Sequence, residues 1–186
     1  MDEESRERVA DVAEDVDHLS NLVNELLSFS RAEMNPSKVR LGRAQLLPVV
    51  ERAVGREGTP GAEIITDVDP GLTVVCDTEL LARALSNLVR NAVKYAGEAG
   101  PIRVSATGEN GTVSIAVSDE GPGVPEELVE RIFEPFFRPE PSRDRDSGGV
   151  GLGLAIVKTC VETCRGTATA RNLHPRGFSV TLNLEA

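Results

Sequence analysis

The chain predicts an α/β (α+β) two-layer sandwich over residues 44–186, preceded by a long amphipathic helix over residues 1–35. Three observations carry this prediction. Val9, Val12, Val16, Leu19, Val23 and Leu26 recur at spacings of three and four, which lines one face of a helix. Runs of alternating apolar residues flank Asn110-Gly111, the dipeptide best suited to a tight turn between antiparallel strands. Residues 78–96 and 150–164 instead carry apolar residues at helical spacing, which supplies helices for such strands to pack against.

The elements follow in chain order. The N-terminal helix runs from about Glu4 to Glu33 with acidic residues opposite its seam, and Asn35-Pro36 ends it because proline disfavours helical geometry in the residue before it. Residues 36–43 form a linker, and a short helix then spans Ala44–Arg56 with Pro48 in its first turn, where a missing N–H is tolerated. Ile64–Val68 and Leu72–Cys76 read as strands joined by the turn Asp69-Pro70-Gly71. Asp77 caps a helix that continues to Ala96. Strands over Ile102–Thr107 and Val113–Val117 flank the Asn-Gly turn. Residues 122–149, rich in proline, glycine and charge with a short helix around Glu126–Ile132, form an irregular span long enough to be read as a lid. A helix over Val150–Cys164 and strands over Thr167–Arg171 and Phe178–Leu184 complete the domain.

Composition bounds the function. With 40% apolar and 27% charged residues the chain reads as an ordinary globular protein, with no apolar run of membrane-spanning length and no opening signal peptide, so a cytoplasmic location is expected. A formal net charge of −10 argues against nucleic acid as a partner, and Arg138, Arg143 and Arg145 are interleaved with Glu140, Asp144 and Asp146 rather than gathered into a basic patch. Cys76, Cys160 and Cys164 lie in apolar stretches without a histidine at metal-ligand spacing, which assigns them to core packing.

Three segments carry chemistry. Ser147-Gly148-Gly149-Val150-Gly151-Leu152-Gly153 turns abruptly into an apolar helix, and glycines at a helix entrance let unpaired N–H groups approach a phosphate. Asn87 and Asn91 share a helix face with Lys94, pairing amide oxygens suited to magnesium with an ammonium group. Asp119 ends a strand-like run and is followed by Gly121 and Gly123, which leave room for a flat ligand whose exocyclic amine the carboxylate accepts, as adenine offers. Phe133, Phe136 and Phe137 sit in an otherwise polar span, as packing under a closed lid or as an exposed docking patch.

The order Asn-x-x-x-Asn, Asp-x-Gly-x-Gly, Phe-Glu-Pro-Phe-Phe and Gly-x-Gly-Leu-Gly-Leu, running from Asn87 to Leu154, resembles the ATPase domain of sensor histidine kinases. The first, second and last blocks are shared with the wider superfamily of type II topoisomerases, the ninety-kilodalton chaperone and mismatch-repair ATPases, and the phenylalanine block is similar to the kinases alone. The resemblance implies the Bergerat fold, a mixed, mostly antiparallel sheet on about three helices, with ATP and Mg2+ as cofactors. It implies Asn91 as the magnesium ligand with Asn87 as a second candidate, Lys94 on a phosphate oxygen, and Gly149, Gly151, Leu152 and Gly153 around the triphosphate. Tyr95 is expected beside the adenine or as a half-buried aromatic at the helix end, and Arg138 on the γ-phosphate or solvated in the lid. ATP-hydrolysing relatives carry a glutamate base where this chain has Asn87, and an amide cannot take a proton from water, so slow hydrolysis and transfer to a protein nucleophile are expected.

Residues 17–33 resemble the second helix of the kinase dimerisation and phosphoacceptor hairpin. The acceptor histidine of the family is followed by an acidic residue and Arg-Thr-Pro, whereas His18 is followed by Leu19-Ser20 and His174 by Pro175-Arg176, so the expectation is an incomplete kinase module acting on a histidine not present in this chain. The expected partners are a phosphoacceptor helix, a response regulator, and a second copy associating weakly through the N-terminal helix. Two other readings stay open: an anti-sigma-type serine kinase, and a nucleotide-binding scaffold without catalysis. A dinucleotide oxidoreductase is excluded because the glycine run follows a charged span rather than a strand.

Overall fold

The computed structural model describes residues 39–59, 61–96, 99–139 and 151–186. The expected N-terminal helix, residues 36–38 of the linker, residues 140–149 of the lid span, Gly149 among them, and Val150 lie outside the described residues. In chain order the elements are β1 (Gly42–Gln45), α1 (Leu46–Glu57), β2 (Ile64–Asp67), β3 (Thr73–Cys76), α2 (Thr78–Ala96), β4 (Ile102–Glu109), β5 (Thr112–Asp119), α3 (Gly153–Thr163), β6 (Thr167–Asn172) and β7 (Phe178–Glu185).

Five strands form one sheet in the order β2-β4-β5-β7-β6, in which β2 and β4 are parallel and the other pairs antiparallel. The β4–β5 hairpin turns at Asn110 and Gly111 with φ of 51° and 78°, the positive values that asparagine and glycine tolerate best. Strand alternation sends Ile102 and Val104, then Val113, Ile115 and Val117, then Val180, Leu182 and Leu184 to the buried face. The opposite face is lined with hydroxyls and amides, including Ser118 Oγ bonded to Ser179 Oγ at 2.9 Å and Ser114 Oγ donating to Asn183 Oδ1 at 2.7 Å. One apolar face means one covering layer. The expected two-layer sandwich with a mixed, mostly antiparallel sheet and three helices is therefore what the described residues form.

The covering layer is centred on α2, which packs against both α1 and α3 and against β4 and β5. Leu81, Leu85, Leu88 and Val89 of α2 are buried, each contributing about 1.5–3 kcal/mol relative to exposure. Asp77 caps it as expected, its Oδ1 accepting from the N–H groups of Glu79 and Leu80 at 3.0 and 3.3 Å. Such two-sided packing fixes α2 as the axis around which the chemistry-bearing segments are arranged.

Four local expectations are corrected. Gly42 and Arg43, read as linker, and Ala44 and Gln45, read as helix, form β1, so α1 starts at Leu46 with Pro48 still in its first turn. The turn at Asp69 forms, with Leu72 N–H donating to Asp69 O at 3.0 Å, yet its two strands do not pair. Instead β2 joins the large sheet and β3 pairs antiparallel with β1. The short helix expected around 126–132 is two 3₁₀ turns, Glu126–Leu128 and Arg131–Phe133, because a segment confined by Pro125 and Pro135 is too short to nucleate an α-helix. Finally α3 begins at Gly153 rather than Val150, since Gly151 has a φ of +75°, outside helical geometry.

The three cysteines are free and buried, as core packing requires. Burial pushes the Cys76 and Cys160 thiols up to about 12 and raises Cys164 as well. Among the described residues no helix is long and apolar enough to cross a membrane.

Candidate functional site

The polar stripe of α2 is continuous. Asn87, Arg90, Asn91 and Lys94 stand at i, i+3, i+4 and i+7, which places them on one helix face. Asn87 is 4% exposed, and its amide is held on both sides. Nδ2 donates to the Arg83 carbonyl at 2.9 Å, and Oδ1 accepts from Arg90 Nη2 at 2.5 Å. Arg90 Nη1 also lies 3.9 Å from Glu57 Oε2 at the end of α1.

The glycine loop enters this stripe from the α3 side. A Cβ built on Gly153, the first residue of α3, would lie 3.5 Å from both Asn91 amide atoms and 3.6 Å from Asn87 Oδ1. The helix entrance therefore faces both asparagines. Leu152, the N-cap residue of α3, makes no side-chain cap bond, so among the described residues the first N–H groups of α3 are available to an anion. Leu152 contributes through its backbone, because its side chain is 1% exposed and belongs to the core. Gly151 sits against the phenylalanine block: its carbonyl accepts from Phe136 N–H at 3.0 Å, and a Cβ there would meet Phe137 O at 2.8 Å.

The opposite end of the stripe meets Asp119. A Cβ on Gly121 would lie 2.7 Å from Ala96 Cβ and 3.3 Å from Tyr95 O, so the Asp119–Gly121 segment rests on the C-terminal end of α2. Asp119 Oδ1 accepts from Gly121 N–H at 2.8 Å. Burial raises the Asp119 carboxyl above its ordinary range, while the N–H groups of Gly121 and Phe178 pull it partly back. Gly123, with φ of +75°, packs on Asn172, whose Oδ1 accepts from Val124 N–H at 2.9 Å and whose Nδ2 donates to Val124 O at 2.7 Å and Glu126 Oε2 at 2.8 Å. From Asn87 to Tyr95 the helix rises about 12 Å at 1.5 Å per residue, so one face of α2 runs from the carboxylate end to the glycine-loop end.

The remaining expected residues fall around this axis. Tyr95 is 57% exposed with Lys94 Nζ 5.0 Å from its ring centroid. Phe133 packs partly buried against the core, Phe136 is 63% exposed with a φ of 65°, and Phe137 stacks under Arg131 at 4.3 Å. The block is thus split between a partly buried member, Phe133, and an exposed one, Phe136. Arg138 is half-buried. His174 is exposed on the loop between β6 and β7.

Two residues of the site escape a reading of the sequence. Asn172 clamps the Gly123-Val124 backbone from a distant strand, and no local pattern announces it. Arg90 shares the helical stripe of the asparagines, and the same spacing that groups Asn87 with Asn91 would have found it. Chemically, the donor set suits a nucleotide with a hard cation: a half-buried carboxylate, amide oxygens, two basic side chains and helix-entrance N–H groups. Among the described residues no cluster of three His, Cys, Asp or Glu side chains is placed to hold a metal, so a divalent ion here would rest on amide oxygen, phosphate and water.

Known proteins resemble this chain in sequence and in fold. The family described as histidine kinase-, DNA gyrase B-, and HSP90-like ATPase matches residues 76–186. The signal transduction histidine-protein kinase BaeS of Escherichia coli is 32% identical over 182 residues, covering 96% of this chain and 39% of BaeS. The sensor protein KdpD of Mycobacterium tuberculosis is 37% identical over 193 residues, covering 99% of this chain and 22% of KdpD. Among solved structures, full-length ShkA in complex with AMPPNP superposes with a TM-score of 0.78 at 28% identity, over 99% of this chain and 39% of ShkA. The mycobacterial sensor histidine kinase MprB gives 0.70 at 28% identity, over 77% of this chain and 97% of the MprB chain. The chain spans less than half the length of BaeS and of KdpD.

Proposed function

The chain belongs to the histidine kinase-, DNA gyrase B-, and HSP90-like ATPase family, and from that premise we propose that it is the ATP-binding catalytic module of a two-component sensor histidine kinase. The observation that carries the reading is the contact between the α3 entrance and the α2 amides, where Gly153 faces Asn91 and Asn87. It joins the phosphate cradle to the expected metal ligand. In this proposal residues 44–186 are the catalytic domain, residues 1–35 belong to the dimerisation and phosphoacceptor hairpin, and the module works in the cytoplasm, alone or as the inner part of a membrane sensor.

Each side chain then has a task. Asp119 accepts from the adenine amine, with Gly121 and Gly123 keeping the approach open and Tyr95 flanking the base. Asn91 gives an amide oxygen to Mg2+, which when bound neutralises phosphate charge. Lys94 and Arg138 bind phosphate oxygens, and the N–H groups of Gly149, Gly151, Leu152 and Gly153 receive the tail. Asn87 stands where hydrolysing relatives place a base, and an amide leaves water unactivated, which preserves the γ-phosphoryl group for a histidine on a phosphoacceptor helix. That histidine would pass the phosphoryl group to a response regulator.

The test supplies the chain with γ-labelled ATP, Mg2+ and a separate hairpin bearing a candidate histidine. Label is expected to move to the hairpin in an acid-labile form, with hydrolysis below about 1 per second, the low end of usual turnover. Acid-stable label would indicate a serine kinase instead, and nucleotide binding without transfer to any hairpin would indicate a scaffold.

A further inference from the structure

We propose that Arg90 is an additional phosphate-binding residue that distinguishes ATP from ADP, resting on Asn87 and Glu57 until a terminal phosphate takes its guanidinium. The inference rests on the nucleotide reading above and extends it to a residue outside the motifs.

The argument begins with position. Arg90 lies in the same helical stripe as Asn91 and Lys94, toward the Asn87 end. Gly121 packs on Tyr95 and Ala96, and Gly153 packs on Asn91 and Asn87, so a nucleotide laid along α2 has its base near Tyr95 and its phosphate tail toward Asn87. Lys94 is one turn nearer the base than Arg90. On this face of α2, Arg90 is therefore a cation on the tail side of Lys94, added to the Arg138 already proposed for the phosphates.

Its present partners are weak competitors. Asn87 Oδ1 is a neutral acceptor, and Glu57 at 3.9 Å is beyond hydrogen-bond distance. The Arg90 side chain is 46% exposed, which screens its pairing with a Glu57 side chain that is 19% exposed. A terminal phosphate offers charged oxygens matched to the guanidinium fork, and charge-assisted bonds of that kind are about twice as strong as neutral ones. The exchange is thus downhill when the phosphate is present and has no partner when the nucleotide ends one group earlier. It also has a second effect. Departure of Nη2 uncovers the Asn87 amide oxygen, which faces Gly153, so the ligand that recruits Arg90 also gains a buried acceptor for its metal or water shell.

The test is calorimetric titration of the chain with MgATP and MgADP, alongside thermal melts, for wild type, Arg90→Gln, Arg90→Lys and Glu57→Gln. Arg90→Gln is expected to weaken ATP about tenfold and ADP by less than about twofold, the loss of one charge-assisted contact. Arg90→Lys should fall between, keeping charge without the fork, and Glu57→Gln should leave ADP binding unchanged and ATP binding equal or tighter. An ATP-to-ADP ratio unchanged in Arg90→Gln overturns the proposal, and marks Arg90 as a strut between α1 and α2 if the Glu57→Gln melt drops in parallel. Should Arg90→Gln fail to fold, an unchanged ratio in Arg90→Lys overturns it equally. Wild type that binds neither nucleotide would instead sink the nucleotide reading itself, and this inference with it.

Discussion

At the Asp119 end of the site the groups in place are backbone groups: Gly121 N–H at 2.8 Å and Phe178 N–H donate to the carboxylate, and Gly177 packs so tightly that a Cβ would fall 2.4 Å from Asp119 O. At the Gly153 end they are side chains, with Asn87 held by Arg90, Arg90 near Glu57, and a glycine whose added Cβ would meet only ordinary contacts at 3.5 Å. Backbone donors cannot rotate away, so the Asp119 end, proposed above to meet the base, is preorganised and its ordering cost is met during folding. Exposed long side chains exchange partners readily, so the phosphate end is completed by what binds there. One helix thus carries a fixed arrangement at one end and an adjustable one at the other, which in the proposed function are the base reader and the phosphate grip.

The sharpest way to break that contrast is the same substitution at both ends. Gly177 has a φ of +116°, and its neighbour at 2.4 Å is a backbone oxygen, so Gly177→Ala must shift the β5–β7 register at Asp119 and Phe178. We expect a loss of about 3 kcal/mol of stability and weaker binding of ATP, ADP and adenosine alike. Gly153→Ala meets helical geometry and only ordinary van der Waals contact, so its melting temperature should hold or rise slightly, since alanine is the better helix former. Its methyl group would nevertheless crowd the Asn91 amide, so affinity for ATP should fall while adenosine binding stays. Equal destabilisation by the two variants would refute the division between a rigid and an adjustable end.

Next in size is the base reader itself. Asp119→Asn replaces one carboxylate oxygen with a donor, while the Gly121 and Phe178 N–H groups and the adenine amine all still require acceptors. At least one donor is left without a partner. Binding of every adenine nucleotide should weaken by about 100-fold, the scale of one or two charged hydrogen bonds. Titration with ATP and with GTP checks this, and a variant retaining wild-type affinity for ATP would remove Asp119 from the site.

The contrast also explains what could be read before the fold was known. Asn87, Asn91, Lys94, Asp119 and the glycines announce themselves because their spacing on a helix or after a strand is local information. The Asp77 cap and the Asn110-Gly111 turn are legible for the same reason. Strand β1 is not, because Gly42-Arg43-Ala44-Gln45 has no alternation to detect and is stabilised by backbone pairing with β3, about thirty residues on. The divergence of β2 and β3 is hidden for a related reason: a turn specifies that the chain reverses, not which neighbour each strand takes. Asn172 clamps Val124 across 48 residues of sequence, a contact set wholly by the sheet. Arg90 is missed for another reason: its helical spacing is legible, but an arginine on a helix surface reads as solvation until its partners are seen.

The smallest effect at neutral pH, and the one that isolates the base end, is its response to acid. Burial raises the Asp119 carboxyl, so between its ordinary value and its raised one the folded chain binds a proton that the unfolded chain does not. Stability from this group is therefore greatest below the ordinary value and declines as pH rises through the raised one. Adenine recognition has the opposite sign, because only the ionised carboxylate accepts from the exocyclic amine while holding its two backbone donors. Adenosine, which carries no phosphate to titrate, should lose affinity by about tenfold per pH unit once the pH falls below the raised value. In Asp119→Asn both slopes should vanish together. Adenosine affinity in the wild type that stays flat down to the ordinary aspartate range would show that the carboxylate does not contact the base, and the fixed reader would have to be sought among the backbone groups of Gly121 and Gly123 instead.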